Sequence, residues 1–152
     1  MVEQRLRDAG FDLPLASTPA ANYIPWMVVG RLLFVAGQIP VFNGERRYIG
    51  RVGAEYGIPE GREAAKLCGL NLLAQAKSAL GDLDRVARVV KLGGFVCCTP
   101  EFDQHPQVIN AASELMITAF LDAGRHTRTA VGAPSLPFGV AVEIDGIFEL
   151  HA

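Results

Sequence analysis

The segment Val140 to Asp145 most narrowly limits what this chain can fold into. Val140, Val142 and Ile144 alternate with Ala141, Glu143 and Asp145, the period-two pattern of a strand with one apolar face. Such a strand needs a sheet with one face packed and the other face differently occupied. Glu143 falls on the face opposite the valines. A carboxylate inside an apolar strand is costly to bury without a partner or a task. Arg128 opens the preceding apolar stretch, and Pro134 and Pro137 lie between the two. A hairpin turning near Leu136 is expected. It would set Ala130 opposite Glu143 and Arg128 diagonally on the same face, paired with the carboxylate or sharing a ligand with it.

Upstream, the periodicity changes to 3.6. Pro59 to Leu80 is expected to be a helix with Ala65, Cys68, Leu72, Leu73, Ala76 and Leu80 on its inner face. Pro59 suits the first turn and Gly81 the stop. A second helix is expected from an Asp103 cap to about Ala123, with Val108, Ala112, Leu115, Met116 and Ala119 facing inward. Between them, Val86 to Cys98 reads as a buried strand beginning near Val89. Trp26 to Val29 and Leu32 to Ala36 flank Gly30-Arg31 as a hairpin. Residues 41–58 are rich in glycine and read as a loop, with one short strand near Tyr48 to Val52. Val2 to Ala9 is an amphipathic helix, and Pro14, Pro19 and Pro25 make the following arm extended. The order gives an α+β class: one single-domain chain, residues 1–152, with residues 1–22 as N-terminal helix and arm. One mixed sheet is covered on one face by two helices. Self-association is the simplest cover for its other face.

With 152 residues, half of them hydrophobic, the chain can bury a core without staples. The net charge of −2 and the lack of a basic run argue against nucleic-acid binding. No apolar run approaches a membrane span. Three cysteines without CxxC spacing fit a reduced, cytoplasmic protein. His105 and His151 have no ligand spacing, so neither a metal nor a cofactor is expected. His126 joins Arg125 and Arg128 in a basic cluster at a helix exit, which can be solvated or face a ligand. Tyr23 can wall a pocket or anchor the arm.

Taken in order, Gly37-Gln38-Ile39-Pro40, Asn110, Arg128, Leu136-Pro137 and Val142-Glu143-Ile144-Asp145 resemble the RidA/YjgF family of reactive-intermediate (enamine/imine) deaminases, also known as endoribonuclease L-PSP. The likeness covers about residues 20 to 150. Gly124 to Arg128 and Ala130 to Gly132 are similar to a longer, divergent subgroup. The resemblance implies a chorismate mutase-like fold and a homotrimer with clefts between subunits. It implies that Arg128 grips the carboxylate of a 2-imino or 2-enamino acid and that Glu143 holds the attacking water, giving a 2-oxo acid and ammonia. Tyr23, Gly37, Phe95, Asn110, His126 and Ala130 are the implied substrate-binding positions, with His126 favouring an additional anionic group. The family's deaminases usually carry serine where Ala36 stands and Pro-Ala where His126-Thr127 stands. The loss of that serine motivates a second reading, a trimer that binds small carboxylates such as 2-oxo acids without turnover. A ribonuclease is a third, resting on the older name alone.

Overall fold

The computed structural model describes residues 1–19 and 21–152. Five strands form one sheet in the order β1-β2-β7-β5-β6. These are β1 (Trp26–Val29), β2 (Leu32–Gln38), β5 (Val86–Cys97), β6 (Thr127–Ala133) and β7 (Val142–Leu150). All neighbours are antiparallel except β5 and β6, which run parallel. A separate ribbon pairs β3 (Val41–Phe42) with β4 (Glu45–Arg46). Helices α1 (Val2–Asp8), α2 (Ile58–Leu80) and α3 (His105–Phe120) complete the fold.

The expected mixed sheet with helices on one face is present, and α1 is a third helix against α3. Val2 and Leu6 anchor it in the core. Every inner-face residue expected on α2 and α3 is buried. Helix α2 starts one residue before Pro59, where the Glu60 carboxylate accepts the Gly57 N–H at 2.7 Å. Its middle, Leu67 to Ala76, is buried on all sides, by the sheet, by α3 and by the N-terminal arm. Strand β5 begins at Val86 rather than Val89.

Four expectations are corrected. Helix α3 starts at His105 with Gln104, not Asp103, at its cap, and Leu121–Gly124 continues it as a 3-10 turn. Residues 48–52 form no strand, only isolated bridges such as Ile49 to Val140. Ahead of them, Asn43-Gly44 closes the β3–β4 ribbon with φ of 50° and 89°, the paired left-handed conformation of a tight type I′ hairpin.

The largest correction concerns β6 and β7, which form no hairpin. Strand β5 lies between them, with Gly94 facing Ala130 on one side and Ile144 on the other. Chain from β5 returns through α3 and re-enters parallel as β6, the usual helical crossover. Two prolines and a turn at Pro137–Gly139 then carry it across to β7. Phe138 sits in that turn at φ 60°.

Consequently the sheet has two unlike faces. Leu33, Val35, Leu92, Val142, Ile144 and Phe148 are buried beneath the helices. On the uncovered face, Met27 pairs with Phe34, Val29 with Leu32, and Phe34 with Ile147. Met27, Val29, Leu32 and Phe34 are all exposed. Among the described residues, no helix is long and apolar enough to cross a membrane.

Candidate active site

Glu143 projects from β7 onto the uncovered face, directly across from Phe95 on β5. Its carboxylate lies over Gly37. One extra residue on β2 between Val35 and Gln38 makes a bulge against β7 there. A Cβ at position 37 would overlap Oε2 of Glu143, so the glycine makes room for the carboxylate. Burial pushes the Glu143 carboxyl above its usual range, and the charge of Asp145, two residues along the same face, adds to that. Its proton affinity thereby moves toward that of a neutral-pH base.

Glu143 opens into a cleft of about 730 Å³ walled by the N-terminal arm, the β2 bulge, the β3–β4 ribbon and the Pro137–Gly139 turn. Tyr23 and Gly37 line it, as do Gln38 and Gln75. Those glutamines are buried and linked. Gln75 Nε2 donates to the Ser17 carbonyl at 2.8 Å and to Gln38 Oε1 at 3.4 Å, and Gln38 Nε2 donates to the Ala36 carbonyl at 3.0 Å. The pair ties the arm and the bulge to α2, which fixes the cleft floor.

Arg128 is elsewhere. In register with Leu92, it points to the helix side of edge strand β6. Its Nη1 donates to Asn110 Oδ1 at 2.9 Å and Ser113 Oγ at 3.0 Å. Partial burial draws the guanidinium below its ordinary pKa, and it stays charged. Ala130 shares that side and packs on the core. Thus within one chain the residues expected to act together fall into two groups. Tyr23, Gly37 and Glu143 share the cleft with Phe95 beside them, while Arg128, Asn110, His126 and Ala130 gather on the helix-facing side. The expected diagonal contact between Arg128 and Glu143 is absent because β5 separates their strands.

His126 has no ring nitrogen to spare for an anion. Nδ1 donates to the Gly124 carbonyl at 2.6 Å, leaving Nε2 to accept the Ser113 hydroxyl at 2.9 Å. That hydroxyl oxygen in turn receives the Arg128 N–H. A neutral imidazole makes both contacts in these directions, and burial favours that form. Burial lowers the His126 pKa, and the Arg128 charge lowers it further against the opposing pull of the Gly124 carbonyl. The ring holds Arg128 in place through Ser113. The unfolded chain takes a proton at about the ordinary histidine value of 6.5, the folded chain only below it. Between those values the unfolded state holds more protons, so stability is lost as pH falls through that window. Glu143 and Asp145, with raised pKa values, have the opposite sign. The His126 contribution is therefore read by difference. Denaturant midpoints from pH 7.5 to 5 should fall more steeply in the wild type than in His126→Gln, and parallel curves would refute the relay.

Sequence reasoning gave no site role to Arg46, Gln38, Gln75, Phe138 or Ser113, although Gln38 stands in the Gly37-Gln38-Ile39-Pro40 motif. Cys68, Cys97 and Cys98 are free and buried, and burial pushes all three thiols up. No cluster of three His, Cys, Asp or Glu among the described residues can hold a metal ion.

The family model described as "YjgF/chorismate mutase-like, putative endoribonuclease" matches residues 3–148. Protein TCP17 of Trypanosoma cruzi is 44% identical over 151 residues, 99% of this chain and 94% of that one. The crystal structure of Atu1372 from Agrobacterium tumefaciens, a protein of unknown function, is 47% identical with a TM-score of 0.93, covering 99% of this chain and 92% of that chain. A "putative endoribonuclease" from Shewanella oneidensis MR-1 is 35% identical with a TM-score of 0.96, covering 99% of both chains. Sequence match and superposition agree along nearly the whole length, and the chain belongs to the YjgF/chorismate mutase-like family.

Proposed function

We propose that the protein hydrolyses reactive 2-imino and 2-enamino acids to 2-oxo acids and ammonia, in clefts between the subunits of a homotrimer. The observation that carries this reading is Glu143, a half-buried carboxylate of raised pKa, held over Gly37 in a cleft with Tyr23. Water adds to the imine carbon while Glu143 takes its proton. Glu143 returns that proton to the nitrogen, giving a carbinolamine. The carbinolamine hydroxyl then gives up its proton to the nitrogen as the C–N bond breaks, and the 2-oxo acid and ammonia leave. An imine already reacts with water, so positioning and charge stabilisation suffice.

Arg128 and Glu143 point from opposite faces of one sheet, so a substrate gripped by both lies where two copies meet. The β6 edge of one copy then approaches the Glu143 face of the next. The exposed apolar band of Met27, Val29, Leu32 and Phe34 supports such packing, since an apolar patch of this kind commonly marks an interface. A ribonuclease reading, which the Shewanella protein's name carries, has less support: the net charge is −2 and Arg46 is the one cation among the described cleft residues.

Imine loss is the test. Several 2-imino acids, generated by an amino-acid oxidase and trapped with semicarbazide, should disappear faster with the wild type. Arg128→Ala should remove that acceleration, while light scattering still gives three copies. Tight 2-oxo acid binding with no acceleration by an intact trimer would instead favour a carboxylate-binding protein, the reading that Ala36 motivates.

A further inference from the structure

We propose that Arg46 gives the cleft a second anion-binding point, so that the preferred substrates are 2-imino acids with a further carboxylate at the far end of the side chain. This rests on the deaminase reading and names the substrate class within it.

Arg46 and Glu143 are the only charged side chains among the described residues of the cleft. The reaction uses Glu143, and Arg128 is assigned the carboxylate next to the imine, which leaves Arg46 without a task. Its neighbour Arg47 is engaged, with Nε 3.1 Å from Oε1 of Glu45 and the guanidinium over the Phe42 ring. Among the described residues Arg46 has no carboxylate partner. Its guanidinium lies 3.6 Å from the centre of the Phe138 ring. Stacking covers one face of the guanidinium and leaves the in-plane N–H fork free, the geometry that takes a carboxylate in two places.

Two features hold this arrangement. The tight Asn43-Gly44 turn sets the register of the ribbon that carries Arg46. Phe138, which the guanidinium covers, is held in the left-handed region at φ 60°, where a residue with a large side chain rarely sits. Backbone strain of this kind is found where a site needs a side chain aimed. Size points the same way. A cleft of about 730 Å³ falls in the range of roughly 300–1,000 Å³ that encloses drug-sized ligands.

Calorimetric titration with two stable product analogues of equal chain length, 2-oxoglutarate and 2-oxopentanoate, tests the proposal. The wild type should bind the dicarboxylate about tenfold or more tighter, the worth of one charge-assisted pair. Arg46→Leu should bring that ratio close to one, with Arg46→Lys between. Arg128→Ala should weaken both analogues and keep the preference. A wild type that binds both equally, or a preference that survives Arg46→Leu, overturns the assignment of Arg46 and leaves the deaminase reading standing. Binding of neither analogue also overturns the assignment of Arg46, and the deaminase reading is then decided by imine loss alone.

Discussion

Glu143→Gln is expected to reduce catalysed imine hydrolysis by about 100-fold or more, within the range of about 10²–10⁴ that a positioned general base supplies. The substitution keeps shape and removes only the ability to take a proton from water. It should not reduce stability. Folding raises the Glu143 pKa above its ordinary 4.5, chiefly by burial and then by the neighbouring charge of Asp145. The folded state then holds more protons than the unfolded one across that interval, and stability falls as pH rises through it. Above it, the charged carboxylate is a standing cost that glutamine lacks. The variant should be inactive and melt no lower than the wild type at neutral pH. Those two results together mark a residue kept for chemistry at the expense of stability. Activity within threefold of wild type would remove Glu143 from the mechanism.

The parts of the fold that were legible in the sequence are those whose signal is local. Helices α2 and α3 each repeat an apolar face over several turns, and the Gly30-Arg31 hairpin is marked by its own turn. Strand β7 declares its faces through Val142, Ile144 and Glu143. What failed depends on contacts distant in sequence. Arg128 and Glu143 are only a short stretch apart, and a hairpin is the simplest way to join neighbouring strands. The β5–β6 pairing through α3 is a non-local competitor that leaves no mark in β6 itself. The β3–β4 ribbon failed for the opposite reason. Two-residue strands are too short to show alternation, although Asn43-Gly44 is a strong turn signal that would have set Arg46 on a ribbon. His126 was placed near the site, but its role depends on which atoms its nitrogens meet. A basic cluster in sequence cannot distinguish a ring open to an anion from one enclosed by Gly124 and Ser113. The buried glutamines are isolated polar residues on a helix and at a strand end, without a periodic pattern. Only the arm folding back over Gln75 gives them a function.

Phe148→Ala is expected to cost about 3–5 kcal/mol of stability, the range for truncating a buried aromatic ring. Phe148 is fully buried on the helix-covered side of β7, between Leu33 of β2 and Val89 of β5 in register. Its ring centre lies 6.4 Å from that of Phe120 at the end of α3, so it joins three strands to the helix layer. Its removal leaves a void whose walls are strands paired on both sides and a helix end, none of which can collapse without breaking ladder hydrogen bonds. For a chain of this length, that loss corresponds to a fall in Tm of roughly 6–20 °C. Glu149→Ala, the next residue on the same strand but on the uncovered face, provides the control and should shift Tm by at most a few degrees. Because self-association, where it occurs, would also raise Tm, the comparison belongs at several protein concentrations. A Phe148 effect that is constant with concentration places the loss inside the protomer. An effect that disappears at high concentration would show that contacts between copies, rather than the layer joined by Phe148, hold β7 and the Glu143 it carries.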